Sequence, residues 1–178
     1  MVRRVVVGKS NAGKSVVVSD GPSPREFVHE HRPGFVTAPL WMTSGTPDVV
    51  DTQADPMTKG GSILPTPGQA TFVVITYPPS SSMSSPAFRP DLAAAEHLVA
   101  APGIAETFEP DHPGMHTTPT LDFGCVLNGT IHLELDDGQM IRLDAGDTVV
   151  QQGTRHAWRN LGTEPAIVAF VLLGATAA

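Results

Sequence analysis

The chain has 178 residues, 40% of them hydrophobic and 16% charged, and carries a formal net charge of −7. That length suits a single domain with one good core. The acidic balance argues against nucleic acid or an anionic membrane as a partner, since both need clustered Lys and Arg. No apolar run approaches the roughly 20 residues needed to span a bilayer. Val5-Val6-Val7 is too short for a signal-peptide core. The single Cys125 cannot pair within the chain, which points to a reducing cytoplasm and to a small buried packing role.

In chain order, Arg3–Val7 and Lys14–Ser19 read as two strands joined by Gly8-Lys9-Ser10-Asn11-Ala12-Gly13. Gly8, Gly13, Lys14 and Ser15 match the spacing of a phosphate-binding loop, but that loop works only when Lys-Ser opens a helix. Val16-Val17-Val18 is β-branched and favours a strand, so a hairpin is expected. Residues 24–33 read as irregular, with His29 and His31 as solvated loop histidines. Phe35–Thr43 is a strand carrying Trp41, and 44–67 is a long polar loop, either a lid using Trp41 or Met57 or an outer surface excursion. Gln69–Tyr77 is a strand stopped by Pro78-Pro79, and the serine run after it is low-complexity. Asp91–Ala101 is the credible helix, with Asp91 as its N-cap and Pro102-Gly103 as its stop.

From His116 to Asn160 the pattern is a set of short strands folded back on each other. Asn128-Gly129 and Asp137-Gly138 stand between alternating apolar runs, the strongest short-range hairpin signal. Side chains alternate across a strand, so His116, Thr118, Thr120 and Asp122 share one face, and His156 and Trp158 share another. If both faces look into a barrel, two imidazoles and a carboxylate converge, a recurrent divalent-metal site with open coordination positions. Outside that set, His112 has the position to restore a missing ligand, although a loop histidine is more often exposed. His132 and Glu134 read as an outward-facing polar pair, Trp158 as an aromatic wall or core residue, and Asn160 as a fixer of the closing turn.

This stretch resembles the cupin family, whose motifs run approximately G-x5-H-x-H-x3,4-E-x6-G and G-x5-P-x-G-x2-H-x3-N. His116 stands at the first ligand position, Thr118 at the second, Asp122 at the Glu position and Gly129 at the close. Gly146, Gly153, His156 and Asn160 match the second motif, without its Pro and with a loop one residue shorter. The resemblance implies an all-β, cupin-type double-stranded β-helix (a jelly-roll barrel) with extra N-terminal strands and one short helix. Residues 1–105 would extend the barrel and 106–175 form its core, within one domain. It implies a small-molecule enzyme with a divalent ion (Fe, Mn, Zn or Ni) on His116, Asp122 and His156, the same three residues being catalytic. Thr118 and Trp158 would then meet an oxygenated hydroxy-, keto- or carboxylate substrate. Lyase, decarboxylase or cyclase chemistry leads. An Fe(II) dioxygenase, a non-catalytic ligand-binding barrel and a metal-free barrel acting through its His and Asp are the alternatives. A homodimer is the expected assembly, since an added or exchanged edge strand would protect the sheet edges.

Overall fold

The computed structural model describes residues 1–47, 54–86 and 88–176. Strands β1 (Arg4–Lys9) and β2 (Ser15–Gly21) pair as an antiparallel hairpin. Lys14-Ser15 therefore leads into a strand, and no helix N-terminus is present there to receive a phosphate. Strands β3 (Phe27–Val28), β4 (Val36–Met42) and β5 (Ala70–Tyr77) follow, then helix α1 (Pro90–Ala100). The C-terminal set is β6 (Thr120–Asn128), β7 (Thr130–Glu134), β8 (Met140–Asp144), β9 (Thr148–Gln152), β10 (Ala157–Arg159) and β11 (Ala166–Gly174).

The strands form a six-stranded antiparallel sheet in the order β3-β4-β5-β11-β6-β9 and a three-stranded sheet in the order β10-β7-β8. Their inner faces enclose the main core, made of Val73 and Tyr77 from β5, Val126 from β6, Ile131 and Leu133 from β7, and Val168, Phe170 and Leu172 from β11. This is the expected jelly-roll barrel. The alternation that builds it is plain along β11, where Ala166, Val168, Phe170 and Leu172 are buried and the residues between them are half-buried. Strands from the first half of the chain thus lie in one sheet with strands from the second, β5 pairing with β11 along eight positions.

The turns follow their residues with one difference. Asp137 and Gly138 both take positive φ, +56° and +72°, as an Asp-Gly hairpin turn requires. At Asn128-Gly129 only Gly129 does, at +74°, and a Cβ there would stand 2.7 Å from the Pro165 carbonyl. Helix α1 starts at Pro90, whose missing N–H costs nothing at a first helical position. Arg89, not Asp91, is its N-cap; Asp91 lies within the first turn, where its charge suits the helix dipole. The serine run is not featureless, since Ser80–Ser84 forms a 3-10 turn.

Residues 48–53 of the long loop lie outside the described residues. The part after them is tied down: buried Arg4 donates to the Leu40 carbonyl at 2.9 Å and forms an ion pair with Asp55, which also caps the turn Pro56–Thr58. Met57 is buried in that turn, yet neither it nor Trp41 faces the barrel cavity, so neither supplies the expected lid contact. Cys125 also differs from expectation. It lies half-buried on the outer face of β6 between exposed Phe123 and Leu127, because the alternation that turns Asp122 and Gly124 inward turns Cys125 out. That outer face carries an apolar cross-strand row, Phe72, Val171, Phe123 and Val150 being register partners on β5, β11, β6 and β9.

Asn160 is 2% exposed and fixes the turn after β10, as expected. Its Nδ2 donates to the Tyr77 and Glu164 carbonyls, and its Oδ1 accepts from the Gly162 N–H. Asn160→Ala leaves the buried Tyr77 carbonyl without this donor, at about 1–3 kcal/mol, and loses two part-exposed hydrogen bonds worth about 0.5–1.5 kcal/mol each. A loss of about 2–4 kcal/mol in urea unfolding is expected.

Candidate active site

His116 stands just before β6 and His156 just before β10. Each backbone N–H donates to the other's carbonyl at 3.0 Å, so the two are cross-strand partners with ring centroids 4.3 Å apart. Their protonation follows from what they touch. His116 Nδ1 lies 3.1 Å from the Gly114 carbonyl and His156 Nδ1 lies 2.8 Å from the Thr154 carbonyl. A carbonyl only accepts, so both Nδ1 atoms carry the hydrogen. Burial pushes the His116 pKa down to about 4, helped by the charge of His156 and opposed by the Gly114 carbonyl. Burial also lowers that of His156, against the bond to Thr154. At neutral pH both rings are therefore uncharged, with a lone pair on each Nε2. Phe108 stacks on His116 at 4.4 Å, and Trp158 meets His156 edge-on.

Asp122 projects from the inner face of β6, opposite Gln151 on β9. It is 6% exposed, and its Oδ1 has no hydrogen-bond partner. Burial raises its pKa to about 6, partly offset by a hydrogen bond from Thr120. Thr118 is buried, and its hydroxyl shares a 2.7 Å hydrogen bond with that of Thr120. All five expected residues, His116, Thr118, Asp122, His156 and Trp158, line one cavity of about 550 Å³. That size suits a small organic ligand.

Asp122 costs the fold stability. With its folded pKa raised from 3.8 to about 6, its favourable contribution is present when it is protonated and is lost as the pH rises through 6. Asp122→Asn should therefore stabilise the protein at pH 7 by up to about 3 kcal/mol, at about 1.4 kcal/mol per pKa unit. Urea titrations at pH 7 check this, and a less stable variant would mean that a cation partner has been lost.

The cavity has a second polar end that sequence reasoning missed. His29 is buried, not solvated as expected, with Nε2 3.2 Å from Thr37 Oγ1 and edge contacts to Phe27 and Phe35. His97 from α1 packs edge-on to Phe108, and the Arg32 guanidinium lies over the Phe35 ring at 4.1 Å. Burial lowers the pKa values of His29 and His97 to about 4 and 3. For His97 a signal existed: Ala93 and Ala101 lie four residues to either side, one small-residue face of a helix. For His29 no local signal exists, because β4 and α1 pack over it, and half-buried Arg32 takes its place only through the Phe35 ring. His112, by contrast, is exposed, with Nδ1 3.1 Å from a Glu109 carboxylate oxygen, outside this cavity. His132 and Glu134 lie on the face of β7 opposite Ile131 and Leu133, where Glu134 pairs with Arg159.

The donor chemistry of His116, His156 and Asp122 suits a divalent ion: two unprotonated Nε2 atoms and one orphaned carboxylate oxygen. Their spacing does not. An ion about 2.0–2.2 Å from each ligand atom would hold these atoms no more than about 4.4 Å apart. Among the described residues the only group whose ligand atoms all lie within 4.8 Å of one another is Glu30, His31 and Glu96. That group is elsewhere, and both Glu96 oxygens there accept from the backbone N–H groups of Glu30 and His31. The three cavity residues as placed do not fit a three-ligand ion site.

Residues 105–172 match the family profile described as the cupin domain. Among curated proteins the chain is similar to oryzines biosynthesis cluster protein J of Aspergillus oryzae, 39% identical over 75 residues, covering 36% of this chain and 42% of that protein. It is 52% identical over 46 residues to phomopsin biosynthesis cluster protein C' of Diaporthe leptostromiformis, covering 26% of this chain and 24% of that one. It is also 39% identical over 62 residues to the cupin-domain-containing oxidoreductase srdD of Neurospora crassa, covering 33% of this chain and 32% of that one. The chain spans less than half the length of each of these relatives.

Proposed function

The chain belongs to the cupin superfamily, and on that premise we propose that its barrel is a small-molecule enzyme of secondary metabolism that moves protons on an oxygenated substrate. The observation that carries this is the pair of neutral imidazoles, His156 buried and His116 half-buried, whose unprotonated Nε2 atoms belong to rings lining the cavity that holds Asp122. A neutral His116 or His156 is ready to accept a proton from carbon or oxygen. Asp122, with its pKa near 6, is poised to return one. Thr118 and Trp158 complete the wall, Thr118 offering a hydroxyl oxygen and Trp158 a flat apolar face. Such a set serves loss of water, decarboxylation or ring closure of a hydroxy- or keto-acid. The test is solvent exchange: protein is mixed with small hydroxy- and keto-acids in deuterated water, and deuterium is followed into carbon positions. Exchange that needs His156 supports the reading, and saturable binding without exchange assigns the barrel to ligand binding alone.

A second reading keeps the expected divalent ion, Fe, Mn, Zn or Ni, and requires His116, His156 and Asp122 to draw closer together than they stand here, since as placed they do not fit a three-ligand site. It is favoured by the free Nε2 pair and by the oxidoreductase descriptions of relatives. Elemental analysis of protein purified without a polyhistidine tag separates the two, a stoichiometric metal favouring the second. No helix among the described residues is long and apolar enough to cross a membrane. The protein partner we propose is a second copy of the chain, seated on the apolar row of Phe72, Phe123 and Val150, which are 40%, 45% and 58% exposed. Light scattering at twice the 18.7 kDa chain mass supports this, and a monomer mass contradicts it.

A further inference from the structure

Six buried side-chain polar atoms have no hydrogen-bond partner among the described residues, and four of them belong to residues lining the one cavity: Arg32 Nε, His97 Nε2, Asp122 Oδ1 and Gln151 Nε2. Asp122 and Gln151 are register partners beside the proton-transfer groups. Arg32 and His97 belong to neither that set nor the cupin motifs. Among the described residues Arg32 Nε has no hydrogen-bond partner, the guanidinium lies over the Phe35 ring, and the charged or ionisable groups that act on it, Tyr77 and Arg159, include no carboxylate. The carboxylates that could neutralise it are engaged elsewhere. Glu109 is held by Arg155 and His112, Glu134 by Arg159, and Glu96 by the amides of Glu30 and His31. A half-buried cation without a counter-ion is costly, and a ligand that brings the missing charge reduces the cost.

We propose that Arg32 and His97 form the anion-binding end of this cavity and take the carboxylate of a monocarboxylic substrate with an apolar, ring-sized body. The guanidinium meets a carboxylate oxygen, and neutral His97 presents a ring nitrogen to the same head group. One fixed positive charge matches one negative charge, which selects a carboxylate over a phosphate monoester carrying about −1.5 to −2 near pH 7. The body lies among Phe35, Ile63, Val73, Phe108 and Phe170. Ring contacts run from His97 to Phe108 at 4.9 Å and from Phe108 to His116 at 4.4 Å. A carboxylate held beside His97 is therefore separated from His116 by one aromatic ring, that of Phe108. This assignment rests on the proton-transfer reading for what happens next, but the anion end stands or falls separately.

The experiment is calorimetric titration of the full chain with phenylacetate, phenylpropionate and phenylbutyrate, their amides, and phenyl phosphate. At least one carboxylate should bind about tenfold or more tighter than its amide and tighter than phenyl phosphate. In Arg32→Gln that preference should disappear while the amide affinity is unchanged, and Arg32→Lys should keep part of it. Equal binding of acid and amide, a preference for the phosphate, no carboxylate binding, or an Arg32→Gln variant that keeps the preference would each overturn the proposal. Circular dichroism of both variants guards against misfolding, and Arg32→Lys decides if Arg32→Gln fails to fold. Should the proton-transfer reading fail instead, carboxylate preference persists with no deuterium exchange. Should the anion end fail alone, exchange occurs in uncharged ligands with no preference.

Discussion

Lowering the pH from 7 to about 4.5 will strip this protein of a large part of its stability. His29, His97 and His116 have folded-state pKa values of about 4, 3 and 4, each pushed down from 6.5 mainly by burial, and that of His156 is lowered too. A group whose folded pKa is depressed binds fewer protons folded than unfolded below its ordinary pKa. Its full contribution is therefore present above pH 6.5 and is lost as the pH falls through the window down to about 4. Asp122 acts in the opposite sense: its raised pKa favours the folded state as the pH falls below 6. One carboxyl does not offset four imidazoles. Even about 1 kcal/mol from each imidazole, well under what the shifts imply, removes a large part of an ordinary 5–15 kcal/mol stability. Urea unfolding at pH 7, 6 and 5 should show the midpoint falling by about a third or more. A flat profile would mean that these rings are hydrated or already charged.

Removing either cavity imidazole should cost turnover about 10²–10⁴-fold, the usual worth of a positioned acid or base. His116→Ala and His156→Ala leave the barrel standing, since the rings line a cavity and neither belongs to the core cluster on β5, β6, β7, β8 and β11. His156→Ala should be the more damaging if His156 is the base, because His116 is also held by the Phe108 stack. In contrast, Trp158→Phe keeps the aromatic wall and should alter substrate affinity more than rate. Steady-state assay of any acid that wild type exchanges, with circular dichroism on each variant, checks this. Unchanged turnover in both alanine variants would remove the imidazole pair from the chemistry.

Much of the barrel is legible in the sequence because its signals are local. The Asp137-Gly138 turn, the alternation along β6 and β11, and the spacing from Gly153 through His156 to Asn160 all lie within a few residues of what they determine. The cavity-facing row of His116, Thr118 and Asp122 follows from period-two alternation even though β6 begins only at Thr120. What was not legible depends on distant packing. His29 becomes a buried residue only when β4 and α1 close over it, and nothing between Pro24 and Pro33 announces that. Arg32 reads as a surface cation until Phe35 and the cavity give it a place. Cys125 looks like a core residue by type, and only the register of β6 shows that it faces outward. The ligand spacing is the subtlest case. A motif names which residues share a face, but not whether their ligand atoms lie within an ion's reach.

The site's chemistry depends on a neutral imidazole pair, with each Nδ1–H held by a carbonyl and each Nε2 unprotonated. Long-range proton–nitrogen correlation spectra of nitrogen-15-labelled protein, with His116→Gln and His156→Gln for assignment, read both tautomer and charge across pH. The expected result is an Nδ1–H tautomer for both rings at pH 7 and no protonation of His116 until the pH falls below about 5. An Nε2–H tautomer, or protonation of either ring near its ordinary pH of about 6.5, would contradict it.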